Sequence, residues 1–278
     1  MNKRIGGTLR AGFTLADLLA VLVIIVLLPA ILIPAIQQNS AQHKNVICRA
    51  NVKQWGMMLA MYANDNDGHL VPGFNMRKGM WMIKLRPYGP DANNIRLCPE
   101  ATTFLSTVHN MQTSPFTAWG IYGDPGYVNG WCGFCSDLGL KGLYGSYGIN
   151  GWIHDPPDVG DLYTIAAGDR PNFWRTINVE NPSTIPAFGD SVWEGTIVRP
   201  TDDVPYVPGV SNSPYNLDGM WNFCLPRHQS GNQYTVNWVF LDNSARKVPI
   251  KQLWYQKWSR NFTSREKDWS QCPWATPP

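Results

Sequence analysis

Three groups of residues have side chains and spacing that could carry chemistry. Asp65 and Asp67 alternate ahead of Gly68, as carboxylates do at the start of a calcium loop, yet no glutamate follows at the spacing an EF-hand needs. A calcium ion there would need further oxygens from Asp190, Asp242 or loop carbonyls, and a turn that stops a helix is the simpler reading. Cys132 and Cys135 form a Cys-x-x-Cys in WCGFCSD. No second pair and no nearby histidine completes a zinc knuckle, and no strand-then-helix pattern frames a redox motif, so a structural disulfide or buried thiols is favoured. Arg227-His228 precedes Asp242. His228 could approach that carboxylate across the fold as a hydrogen-bonded pair, a structural role favoured here over metal binding or acid-base catalysis.

Nothing else has the form of an active site. The chain lacks a Gly-x-Ser-x-Gly elbow, a His-Glu-x-x-His, a phosphate loop and a dinucleotide fingerprint, and His43, His69, His109, His154 and His228 are scattered without ligand spacing. No enzymatic activity is expected, and calcium is the only cofactor with any motif behind it. The 13 Trp and 11 Tyr could line a carbohydrate-binding surface, but most read as core because each buries a large area.

The elements that must position these groups begin with an apolar run. Phe13 to Ile36 carries one charge, Asp17, and follows a basic leader with Lys3, Arg4 and Arg10. The run exceeds the roughly 20 residues of a membrane-spanning helix, no Ala-x-Ala site ends it as in a signal peptide, and the leader's bases place its N-terminal side in the cytoplasm. An isolated carboxylate in such a run is normally paired and functional. Pro29 and Pro34 each remove a helix hydrogen bond, so a bent helix is expected. Beyond it, Ile47, Ala50, Trp55, Met58, Leu59 and Tyr62 recur at near-helical spacing, which predicts that the helix continues onto a globular head. Asn64, Asn66 and Gly68 end it.

The string GFTLAD resembles the cleavage and methylation signal of type IV prepilins and type II secretion pseudopilins. Gly12 precedes the scissile bond, Phe13 becomes the methylated N-terminus, Thr14 and Leu15 match, and Asp17 stands at the fifth mature position, where the family usually has Glu. The resemblance implies a prepilin peptidase and other pilin or pseudopilin subunits as partners, with Asp17 meeting a neighbour's N-terminal amine during assembly. Major pseudopilins of type II secretion bind calcium in the head, which is the analogy behind Asp65 and Asp67. A second stretch, Cys48 to Pro72, is similar to a signature of planctomycete and verrucomicrobial pseudopilin-like proteins through Cys48, Asn51, Lys53, Gln54, Tyr62, Ala63, Asp65, Asp67 and Gly68. LRPYG, RLCPE around Cys98, SYGING and STIPAFGDS around Asp190 follow in the same order, and His228 with Asp242-Asn243 resembles the C-terminal part, where Gly is usual in place of Asn243.

Composition narrows the class. Removing the leader's three bases from the 23 basic residues brings them level with the 20 acidic ones, so nothing favours a nucleic-acid partner. Low charge, 22 Pro and 25 Gly describe a loop-rich extracytoplasmic domain long enough for one core. Six cysteines in an exported chain favour disulfides. Tyr234 to Leu241 and Lys247 to Ile250 read as a hairpin around Asp242 to Ser244, and Leu253, Trp254, Lys257 and Trp258 as a short helix over the sheet.

The expectation is an α+β, pilin-like fold in which a long transmembrane and amphipathic helix packs on an antiparallel sheet with a loop-rich insertion. Its parts are a leader over 1–12, an anchor over 13–38 in the inner membrane, and a head over 39–278, in the periplasm or on the cell surface, whose first part (39–64) is the amphipathic half of the helix. The expected function is a processed subunit of a type II secretion or type IV pilus-like filament. A glycan- or polymer-binding surface protein and an extracytoplasmic hydrolase are the alternatives.

Overall fold

A computed structural model describes residues 15–73, 81–89, 95–104, 114–119, 144–156, 167–210 and 219–277. The chain divides into two compact units, Met1–His43 and Lys44–Pro278. Helix α1 is Leu15–Asp65. Within the second unit it buries Cys48, Asn51, Val52, Trp55, Met58, Leu59 and Ala63, a stripe at helical spacing. Ile47 and Ala50, expected on that stripe, are not in it. The helix stops where Asn66 and Gly68 donate back to the Ala63 carbonyl, with Asp67 and Gly68 at positive φ.

The remaining elements are short. They are α2 (Trp81–Lys84), β1 (Thr103–Phe104), β2 (Thr117–Ala118), β3 (Tyr147–Asn150), β4 (Pro186–Asp190), β5 (Gly195–Thr196), β6 (His228–Ser230), β7 (Gln233–Phe240) and β8 (Ala245–Pro249). The main sheet has the order β5-β3-β4-β7-β6, with β8 also paired to β7. One side of β7 carries β8. Its other side is shared, since β4 pairs with residues 238–240 and β6 with residues 233–235. This succession leaves a gap opposite Val236 and Asn237, and Asp190 at the end of β4 faces His228 at the start of β6 across it.

Strand alternation decides which side chains face α1. Asn237 bonds to Asn45 of α1, and Phe188, cross-strand from Val239, packs with Trp55 and Trp81. Asp190, two residues along β4 from Phe188, and His228, opposite Thr235, therefore face α1 as well. The other face carries Trp238, packed with Phe223 and Trp258. Helix and sheet approach so closely at Gly56 that a Cβ there would lie 2.6 Å from Val239 Cγ2 and from Asn243 Oδ1.

Among the described residues no helix is long and apolar enough to cross a membrane. The anchor over 13–38 and the inner-membrane location are not upheld. The α+β class holds, but the sheet is mixed rather than antiparallel. β5 lies parallel to β3 because the chain leaving β4 crosses over β3, where a Cβ on Gly148 would meet the Trp193 carbonyl oxygen at 2.6 Å. β1 and β2 form a separate parallel pair. The hairpin lies where expected, and the turn after it is a 3-10 helix, Ile250–Tyr255. The described cysteines Cys48, Cys98, Cys224 and Cys272 are buried and form no disulfide, whereas Cys132 and Cys135 fall outside the described residues.

Candidate metal centre

Four donor atoms from four segments converge beneath α1. Cys48 comes from the helix, Cys98 from the loop after residue 94, Asp190 from the end of β4 and His228 from the start of β6. None is more than 5% exposed. The Cys48 thiol donates to Asp190 Oδ1 at 3.2 Å. His228 Nε2 lies 3.2 Å from Cys48 Sγ, 3.3 Å from Cys98 Sγ and 3.3 Å from Asp190 Oδ2. All four donor atoms lie within 4.8 Å of one another, and the group could hold a metal ion.

The surroundings hold these side chains in place. Asn237 donates its backbone N–H to Asp190 Oδ2 at 2.7 Å. The Cys98 backbone N–H donates to Ser146 Oγ at 2.6 Å. Arg227, wholly buried, donates to the carbonyls of Pro115, Ser146, Thr117 and Ser191, and its Nη1 is 3.4 Å from Asp190 Oδ1. One guanidinium thus ties two segments, around Pro115–Thr117 and at Ser146, to the end of β4, which is the bonding that a five-donor planar fork permits.

Burial opposes charge on every member, and the partners decide which charges survive. Burial alone would raise Asp190, but His228, Arg227 and the Asn237 N–H outweigh it and hold the carboxyl at about 2. His228 is lowered by burial and raised by Asp190 and Cys98, ending at about 10. Burial raises Cys98, but hydrogen bonds with Cys48 and His228 bring its thiol down to about 7. Cys48 goes well above the ordinary range, chiefly through burial and then through Cys98 and Asp190.

This arrangement differs from a Cys-His-Asp triad, in which the acid orients one ring nitrogen while the other serves the nucleophile. Here a single nitrogen, Nε2, faces both sulfurs and the carboxylate. No protein-family model, curated protein or solved structure matches the chain.

The anticipated residues are dispersed. Cys48 and His228 are in the cluster. Asp242 instead closes the β7–β8 turn, its Oδ1 accepting from the Ser244 N–H at 2.9 Å and the Ser244 hydroxyl at 2.6 Å, while His228 takes Asp190 as its acid. Asp65 and Asp67 sit at the end of α1, and among the described residues no third His, Cys, Asp or Glu joins them in a metal-sized group. Asp17 lies in the first turn of α1, where a carboxylate complements the positive end of the helix dipole. Gly12 and Phe13 lie outside the described residues. In the sequence Cys98 stands out only within RLCPE, Asp190 only as a further oxygen for calcium and within STIPAFGDS, and Arg227 only beside His228; none is tied to Cys48, although a lone acid in the apolar strand PAFGD is a usable signal, since buried carboxylates are almost always paired.

Proposed function

We propose that this chain is a pilin-like subunit, cut between Gly12 and Phe13 by a prepilin peptidase and assembled with like subunits through the first part of α1. The observation that carries the reading is the exposure of that helix. From Leu18 to Leu28 every large apolar side chain is at least 44% exposed, and they point to all sides of the helix. A helix apolar all round is one to be enclosed by other apolar surface. Neighbouring copies of the same helix are the occupants that the adjoining GFTLAD string favours. The head's enclosed cluster suits a role in holding structure better than turnover, because its donor atoms have no open face for a substrate.

The test uses protein from its native host. Intact mass and N-terminal sequence should show a chain that begins at methylated Phe13, and crosslinking through cysteines placed between 18 and 28 should give ladders of the chain with itself. A chain that keeps its first 12 residues, or Gly12→Val processed normally, contradicts the proposal, as does the absence of crosslinks.

A further inference from the structure

We propose that Cys48, Cys98, Asp190 and His228 bind a zinc ion in a closed, four-ligand structural site. This inference is independent of filament assembly.

The geometry argues for a cation at the centre. Bond lengths of about 2.0 Å to nitrogen or oxygen and about 2.3 Å to sulfur around a tetrahedral zinc imply ligand-to-ligand edges of roughly 3.3 to 3.8 Å. The three separations from His228 Nε2, 3.2 and 3.3 Å to the sulfurs of Cys48 and Cys98 and 3.3 Å to Asp190 Oδ2, fall at or just below the lower end of that range, so a small outward movement seats the ion. One ring N–H can point at only one acceptor, yet Nε2 faces two sulfurs and a carboxylate oxygen at nearly equal distance. A metal bound by all four resolves that competition, with His228 as a neutral ligand.

The donor set selects the ion. Two sulfurs and an imidazole suit zinc, whereas calcium takes six to eight oxygens. Four protein ligands leave no position for a catalytic water, which is the pattern of a structural site. The charges also close. Two thiolates and the Asp190 carboxylate are balanced by the divalent ion and the adjacent guanidinium of Arg227, so the enclosed assembly is neutral, as a low-dielectric interior requires. Arg227 and the Asn237 N–H supply the outer bonds that usually orient a ligating carboxylate. The four ligands come from helix, loop and two strands, so the ion would tie α1 to both partners on the shared side of β7.

The full-length protein, purified with reduced thiols and without added metal, is measured for metal content and then titrated with zinc after chelation. About one zinc per chain is expected. Chelation should lower the melting temperature, and zinc, but not calcium or magnesium, should restore it. Cobalt loaded in place of zinc should give the intense visible bands of a tetrahedral site together with a sulfur-to-cobalt charge-transfer band. Cys98→Ser and Asp190→Asn should reduce zinc content to a small fraction. Should both variants fail to fold, the cobalt spectrum of the unmodified protein still decides the matter. Absence of zinc with no thermal response to it overturns the proposal. So does a mass lighter by two hydrogens with a Cys48–Cys98 crosslink in the native protein, or a cobalt spectrum without sulfur charge transfer.

Discussion

Arg227 and Asp190 meet with Nη1 3.4 Å from Oδ1, and both side chains are wholly enclosed. The contact is long for an ion pair, and Arg227's shorter bonds go to the carbonyls of Pro115 at 2.6 Å and Ser146 at 2.8 Å. The guanidinium thus acts on Asp190 by its charge and on the fold by its carbonyl bonds. Arg-His in the sequence is therefore two roles in adjacent residues: Arg227 ties loops together and His228 faces the sulfurs.

Replacing Arg227 with Met keeps most of the apolar stem while removing the charge and its donors. Several carbonyls lose their partner and Asp190 loses a compensating cation, so a destabilisation of about 3–5 kcal/mol is expected. Denaturant unfolding of Arg227→Met and Arg227→Lys checks this at constant slope. Lys should recover part of the loss, because it restores charge without the planar fork. A loss below about 1 kcal/mol for Met would show that the guanidinium is not structurally required.

Trp55 tests whether α1 belongs to the core of the head. Its ring is 1% exposed, meets Trp81 edge-on at 4.9 Å and donates Nε1–H to the Ile95 carbonyl at 3.0 Å. Trp55→Ala should cost on the order of 3–5 kcal/mol, and Trp55→Phe less. Thermal melts of both variants read the difference, and an unchanged melting temperature for Trp55→Ala would detach the helix from the core.

His154 gives the protein a pH dependence apart from the cysteine cluster. Its Nδ1 donates to the Gly151 carbonyl at 2.8 Å. Burial pushes the imidazole down to about 4, with that hydrogen bond opposing. The unfolded chain protonates His154 near 6.5, so between about 6.5 and 4 the unfolded state binds more protons than the folded one. Stability contributed by the neutral ring is complete above 6.5 and is lost as pH falls through that window, amounting to about 2 kcal/mol by pH 5. Unfolding free energies of the native protein and His154→Gln at pH 7.5 and 5 check this. The variant's fall should be smaller by that amount, and parallel falls would contradict the assignment.

Much of the framework was legible in the residues. The helix end at Asn66 and Gly68, the hairpin around Asp242 to Ser244 and the burial of Trp55 follow from turn chemistry, strand alternation and helical spacing, all of which act over a few residues. Those are local forces, and local sequence carries them. The same residues let His228 approach Asp242 across the fold as a hydrogen-bonded pair. Local sequence had no means of weighing Asp190, 38 residues earlier.

Only the tertiary structure decided that choice. β7 takes β4 along one half of its edge and β6 along the other, so the two strand ends abut and bring Asp190 to His228, while Asp242 is carried to the far end of the hairpin and used by Ser244. The crossing at Gly148 made the sheet mixed, and the seating of α1 placed Cys48 over the junction with Cys98. The sequence by itself determined which donors exist and that a lone acid, an Arg-His pair and buried cysteines must find partners. Which of them meet was decided by strand pairing between distant segments, because burial rewards any satisfied arrangement and only the complete sheet specifies one.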